Sequence, residues 1–212
     1  MFTACVMHSN MRKTGEFRCS NEKVNQLQSN ISWSLRDNFF DIPSDCPQRD
    51  ERLGWMGDAQ VFSWTAAFNR ETALFFTKWM RDISAASSLE RGVPHIVPDI
   101  QGTYSSAAWS DAAVIIPWVV YQMYGDTRIL EESWKCMHEW VDYIHNHVNE
   151  NGLWMTNYQY GDWLALDGAT EQSTFGRTDN GYVCSMYYWA STRYVADAAE
   201  ALGLAEASEY AD

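Results

Sequence analysis

The chain has 212 residues, enough for one large domain or part of a bigger one, and a formal net charge of −13 from 15 basic and 28 acidic side chains. With no basic run, that balance argues against a nucleic-acid partner, which needs clustered Lys and Arg. No apolar stretch approaches the roughly 20 residues of a membrane span, and 11 Trp, 11 Tyr and 9 Phe supply flat apolar walls with polar edges as well as core.

Residues 1–19 read as an extended lead-in, because Phe2, Ala4 and Val6 alternate with Thr3, Cys5 and Met7. From residue 20 the period becomes helical. Val24, Leu27, Ile31, Leu35 and Phe39 step by three and four, and the helix ends near Asp41-Ile42-Pro43. A loop runs to about residue 58, where Asp58 reads as the N-cap of a helix carrying Val61, Phe62, Thr65 and Phe68. A third helix at about 70–88 places Ala73, Phe76, Trp79, Met80 and Ile83 on one side. After a Gly- and Pro-rich loop at 90–108, helical spacing resumes from Trp109 to Met123, with Pro117 implying a kink or a late start. Asp126 reads as the cap of the clearest helix, marked by Leu130, Trp134, Met137, Val141, Ile144 and Val148. A second long loop fills 150–180, and a last helix runs from Val183 to Ala201 and stops near Gly203.

About six helices and no fixed-period repeat make a solenoid a poor fit. Helices alternating with long loops rich in Gly, Trp and Asp suggest helical hairpins in a ring, with the loops gathered at one end. Helical character persists to the last residues, so the chain reads as the N-terminal part of a longer domain.

The five cysteines form no C-x-x-C pair and read as free thiols or small buried residues. No phosphate-cradling glycine motif or Ser–His–Asp arrangement stands out, so no metal or cofactor is expected. His95, in a Pro-flanked loop, reads as a structural hydrogen-bonder. His138, His145 and His147 read as a solvated face of the 126–148 helix.

The densest chemistry lies at Asp45-Cys46-Pro47-Gln48-Arg49-Asp50-Glu51-Arg52-Leu53-Gly54-Trp55-Met56-Gly57-Asp58. Glycoside hydrolysis needs two carboxyls, one of them kept protonated by apolar walls or neighbouring acids. Glu51, among Asp45, Asp50, Asp58 and Trp55, has such neighbours, while Arg49 or Arg52 would act the other way by pairing with it. Taken singly, each member has a plainer reading. Asp58 fits an N-cap, Asp50 a surface partner of Arg52, Asp45 a turn cap before Pro47, and Arg49 a brace for a loop carbonyl.

Residues 45–60 resemble the signature of bacterial α-L-rhamnosidases of glycoside hydrolase family 78. The similarity extends through Phe39-Phe40-Asp41-Ile42-Pro43-Ser44, Val93-Pro94, Pro98-Asp99, Ala108-Trp109-Ser110-Asp111-Ala112, Pro117-Trp118, Tyr124-Gly125-Asp126 and Gly161-Asp162-Trp163. It covers most of residues 15–203. The resemblance implies a mostly α chain, the N-terminal half of an (α/α)6 barrel over 20–212, with 1–19 as a possible remnant of a preceding β domain. It implies inverting hydrolysis of terminal α-L-rhamnosyl groups on a glycoside or polysaccharide. By position, Glu51 corresponds to the general acid, and Asp45, Arg49 and Asp58 to groups that hold rhamnose hydroxyls. Trp55, Trp109 and Trp163 correspond to aromatic walls, with Asp162 beside the last. Rhamnose suits such a set: its hydroxyls pair with acids and Arg, and its methyl and C–H faces with indole.

The family's general base, a Glu in a Trp-Glu context, has no counterpart here, since neither Glu171 nor Glu200 sits in one. The expectation is therefore an acid-bearing piece of very low activity by itself, with its base beyond Asp212 and self-association through an open apolar face. A catalytically inactive sugar-binding protein on the same scaffold is the alternative. A helical interaction scaffold would leave the acid–aromatic loop unexplained.

Overall fold

A computed structural model describes the chain except residues 103, 157, 169, 171, 211 and 212, and at 206 and 208 it describes the backbone without the side chain. Glu171 thus lies outside the described residues. The first helix, α1 (Glu22–Asn38), starts where the Asn21 side chain accepts from Lys23 N. It ends in two two-residue strands, β1 (Phe39–Phe40) and β2 (Ile42–Pro43), paired antiparallel around Asp41, whose φ is 67°. Phe39 is buried at this corner, stacked on Phe75 at 4.7 Å and edge-on to Phe62 and Phe76. That anchors the exit from α1 and aims the following loop.

Next come α2 (Met56–Asn69), α3 (Ala73–Ala86), α4 (Ala112–Tyr124), α5 (Arg128–His145) and α6 (Asn180–Leu202). The expected helix caps shift in two places. Helix α2 begins before Asp58, because Met56 N donates to the His95 carbonyl at 3.0 Å, so a donor of the first turn is satisfied from a distant loop. Asp58 is therefore a first-turn residue and not the N-cap. The cap position of α5 is Thr127, and Asp126 serves the same turn from one residue earlier by accepting from Arg128 N. Helix α4 runs through Pro117 from a start at Ala112, so the late-start reading fails. His147 lies past the end of α5. His138 and His147 bond back to Trp134 O and Tyr143 O, and His145 meets the Tyr188 hydroxyl, so these rings are not a plain solvated face. Residues 1–19 form no paired strand. Their alternation finds only an isolated bridge, Lys13 to Arg70, and bonds such as Ser9 N to Phe39 O.

The helices pack in two rows. Helix α4 touches α2 and α6, α3 touches α5, and α4 also meets α3 and α5 across the rows. Contact between every second helix is what helical hairpins set side by side produce. The core between the rows holds Phe76, Trp79, Met80 and Ile83 of α3, Ile116 and Val120 of α4, and Leu130, Met137, Trp140 and Ile144 of α5. Helix α5 shows the cost of breaking the pattern: truncating fully buried Met137 to Ala would cost about 2–5 kcal/mol. The three long loops, 41–55, 87–111 and 146–179, each lead into a helix of the α2–α4–α6 row, and this row presents the site. No described helix is long and apolar enough to cross a membrane.

Candidate active site

A cavity of about 720 Å³ opens where the long loops meet the first turns of α2 and α6. Asp45 and Ser44 come from the first loop, Gly57 and Asp58 from α2, and Ala108 and Trp109 from the second loop. Gly161, Asp162, Trp163 and Ala165 come from the third loop, and Val183 and Tyr187 from α6. Five of the eight expected site residues therefore line one space: Asp45, Asp58, Trp109, Asp162 and Trp163. Arg49, Glu51 and Trp55 are not among the lining residues. They form an adjoining cluster tied to the cavity through Asp45.

The motif loop is closed at its base by Asp45 and Leu53. Asp45 N donates to Leu53 O at 3.0 Å, and Leu53 N donates back to Asp45 Oδ1 at 2.9 Å. Arg52, at φ 51°, makes the tight return. Inside the loop, Arg49 bridges two acids, with Nη2 3.0 Å from Asp45 Oδ2 and Nε 2.8 Å from Glu51 Oε2. The Trp55 indole donates to Glu51 Oε1 at 2.8 Å. Both Glu51 oxygens thus face donors, which settles the question of its nearer neighbour in favour of Arg49. Asp50 and Arg52 pair at 3.3 Å at the exposed loop tip, as the plain reading holds.

Asp58 stands in the cavity at the start of α2. Desolvation by the surrounding protein pushes its carboxyl above the ordinary value, and the charges of Asp45 and Glu51 add to the rise, against its own backbone N–H and Arg49. Asp162 behaves oppositely. Burial would raise it, but N–H groups of Thr178 and Gly176, at 3.1 and 2.9 Å, outweigh that and hold it below the usual carboxylate value. Its carboxylate so closes the loop that carries Trp163, whose ring meets Phe175 edge-on at 5.7 Å.

Trp109 fits against Gly57. A Cβ there would lie 2.7 Å from the indole Cε2, so only glycine lets the ring lie flat on the start of α2. The same indole packs against Tyr160, 4.3 Å away. Tyr160 also meets Trp55, His95 and Trp163 at 6.1, 5.1 and 5.3 Å, which makes it the hub of the aromatic wall. Burial pushes its hydroxyl up to about 12. Sequence reading did not single it out, although it directly precedes Gly161-Asp162-Trp163. His95 stacks under Trp55 at 5.5 Å with Nε2 3.3 Å from the Tyr160 hydroxyl, and burial lowers its pKa to about 4. It is a neutral structural ring, as read, but one that supports the site.

Asp45, Cys46 and Glu51 place ligand atoms within 4.8 Å of one another, the one such grouping among the described residues. Arg49 already supplies positive charge between the two carboxylates, so the set does not call for a cation. Acids and an arginine beside indole faces suit an uncharged polyol, with hydroxyls to bond and C–H faces to cover.

The model of the bacterial α-L-rhamnosidase six-hairpin glycosidase domain matches residues 12–212. The chain belongs to that family. An α-L-rhamnosidase of Formosa agariphila is 41% identical over 203 residues, which is 95% of this chain and 22% of that protein. One from Streptomyces avermitilis is 36% identical over 211 residues, 99% of this chain and 19% of that protein. The crystal structure of an α-L-rhamnosidase from Aspergillus terreus superposes with a TM-score of 0.87 at 40% identity, covering 96% of this chain and 24% of that one. That of the Streptomyces avermitilis enzyme complexed with L-rhamnose gives 0.86 at 35% identity, covering 96% and 19%. The two helical rows are thus part of a six-hairpin glycosidase fold, and the chain spans about a fifth to a quarter of the length of these relatives.

Proposed function

We propose that this chain forms the acid-bearing part of an inverting α-L-rhamnosidase, with Glu51 as general acid. One observation carries the reading: Glu51 is fixed on both oxygens beside a cavity walled by Trp109 and Trp163 and edged by Asp45 and Asp58. A terminal rhamnosyl group in that cavity would meet carboxylates at its hydroxyls and indoles at its apolar face.

The donor pattern around Glu51 is that of a carboxylate. As a proton donor, Glu51 must carry hydrogen on one oxygen, and that oxygen keeps a lone pair that can still accept from its protein donor while its O–H is free to face the leaving group. The Trp55 bond to Oε1 is compatible with both states. The 2.8 Å contact with Oε2 makes Arg49 a partner of the acid as well as a grip for hydroxyls.

An inverting reaction also needs a base roughly 6.5–9.5 Å from the acid, with water between. Glu200 does not qualify. It lies near the far end of α6, about 20–25 Å along the helix axis from Tyr187 and Val183, which line the cavity. The base is supplied by sequence outside this stretch, and the chain by itself turns over very slowly.

The experiment is hydrolysis of an aryl α-L-rhamnoside by the 212-residue chain and by the intact protein, with Glu51→Gln in the latter. Expected are near-background turnover for the chain, full turnover for the intact protein, and a loss of about 10²–10⁴-fold in Glu51→Gln on poor leaving groups with rhamnose binding kept. Unchanged turnover in that variant overturns the assignment of Glu51. Rhamnose binding without turnover in the intact protein supports an inactive sugar-binding protein instead.

A further inference from the structure

Asp111 is a fully buried carboxylate that the proposed chemistry does not use. Its Oδ1 accepts from Ser191 Oγ of α6 at 2.6 Å and from Trp140 Nε1 of α5 at 2.9 Å, and its Oδ2 accepts from Ala108 N at 2.7 Å. Helix capping does not explain it. Asp111 occupies the position before α4, yet its side chain makes no capping bond to that helix. Packing does not explain it either, because an apolar side chain of similar size spares the cost of burying a charge.

What the carboxylate holds is a turn. Ala108 has a φ of 67°, in the left-handed region where a non-glycine residue is strained. The next residue is Trp109, whose indole packs against Gly57 and Tyr160 and lines the cavity. Two different elements meet that indole, α2 through Gly57 and the third loop through Tyr160. The turn is held at Ala107, whose N–H donates to Gln159 Oε1 at 2.8 Å, and at Trp109, whose carbonyl accepts from Ala112 N at 3.1 Å; between them the strained Ala108 is tied to the buried interior through Asp111, which is itself fixed by α5 and α6.

We propose that Asp111 is a positioning residue for Trp109, joining the turn that bears the indole to α5 and α6 so that the cavity wall keeps one orientation. This rests on reading Trp109 as a sugar-facing wall. The carboxylate touches no substrate and acts only through the indole. Asn in its place keeps the shape but turns an NH2 toward at least one of the three donors, so the turn or the helix link is lost.

The test is a double-mutant cycle in the intact protein: wild type, Asp111→Asn, Trp109→Ala and the double variant, with L-rhamnose titrated calorimetrically and thermal midpoints recorded. Asp111→Asn is expected to weaken rhamnose binding roughly tenfold in the wild-type background and not at all in the Trp109→Ala background. Its drop in midpoint should be similar in both. Equal weakening in the two backgrounds, or none in the first, overturns the positioning role and leaves it a structural core acid. Unchanged affinity in Trp109→Ala overturns the wall reading itself, and the proposal with it. If Asp111→Asn does not fold, Ser191→Ala carries the same cycle. It is expected to give roughly two- to threefold weakening that disappears without the indole, and persistence of the effect overturns the proposal.

Discussion

The Trp55 indole Nε1 donates to Glu51 Oε1 at 2.8 Å while its ring face lies on His95, 5.5 Å away. One side chain thereby links the proposed acid to a buried neutral ring. Trp55→Phe keeps the stack and removes the N–H. Turnover of poor leaving groups, where protonation limits the rate, is expected to fall about 10- to 100-fold, with a smaller change for activated aryl leaving groups. The measurement is kcat across a leaving-group series in the intact protein. An equal loss across the series would show that Trp55 acts on binding alone.

Gly57→Ala tests how firmly Trp109 is seated. Alanine is favoured over glycine in a helix by up to about 1 kcal/mol, but its Cβ would meet three indole atoms at 2.7–2.8 Å. Tyr160 packs against the same ring at 4.3 Å and limits how far it can shift. The clash is expected to win, for a net loss of about 1–2 kcal/mol and weaker rhamnose binding. Urea unfolding and a rhamnose titration read both effects, and a variant stabler than its parent with unchanged affinity would mean the indole moves aside freely.

Asp58 carries a stability cost that depends on pH. Its carboxyl is raised in the folded state, chiefly by desolvation, so the folded chain holds a proton that the unfolded chain releases near the ordinary Asp value of 3.8. Folding stability from this group is then lost as pH rises from that value through the raised one. Asp58→Asn removes the loss. Thermal midpoints should show the variant gaining on wild type between pH 4 and pH 7, while rhamnose affinity drops because a charged acceptor for hydroxyls is gone. A constant difference in midpoint across that range would place Asp58 in an unperturbed site.

Val61, Trp64 and Phe68 form one exposed stripe at helical spacing on α2, and Tyr182, Met186 and Trp189 form another on α6. Six large apolar side chains on two helices make more exposed apolar surface than scattered residues do. The 212-residue chain is expected to self-associate through these stripes despite its charge of −13. Light scattering over a wide concentration range checks this, with Trp64→Glu and Trp189→Glu expected to shift the mass toward monomer. A single monomeric mass at every concentration would rule it out.

Periodicity made the helices legible, since Leu130, Met137, Val141 and Ile144 mark the buried side of α5 in the sequence as they do in the fold. The motif loop stood out as a candidate site because acids, arginines and a tryptophan crowd fourteen residues. The pairing within it was not, because closure of the loop by Asp45 and Leu53 decides which arginine reaches Glu51. The true start of α2 was hidden for a related reason: the His95 carbonyl that receives Met56 N lies 39 residues away. Tyr160 and His95 sit in loops where no period marks a face, and ring contacts among the three long loops give them their roles. The alternation in residues 1–19 resembled a strand, yet a strand needs a continuous partner edge, and the described residues offer the bridge to Arg70 and scattered bonds such as Ser9 N to Phe39 O.

His95 has the opposite pH signature to Asp58. Burial lowers it from 6.5 to about 4 in the folded state, so between those values the unfolded chain binds a proton that the folded chain refuses. Stability is therefore complete above pH 6.5 and declines as pH falls toward 4. His95→Phe keeps a flat ring under Trp55 and cannot titrate. It gives up the 3.3 Å contact with the Tyr160 hydroxyl, so at pH 7 it should start slightly less stable than wild type, by about 1 kcal/mol. Toward pH 5 the wild type pays the protonation penalty and the variant does not, so the two midpoints should converge or cross. Parallel curves from pH 7 to pH 5 would mean that the folded protein lets His95 protonate, which its place between Trp55 and Tyr160 forbids unless that aromatic wall opens.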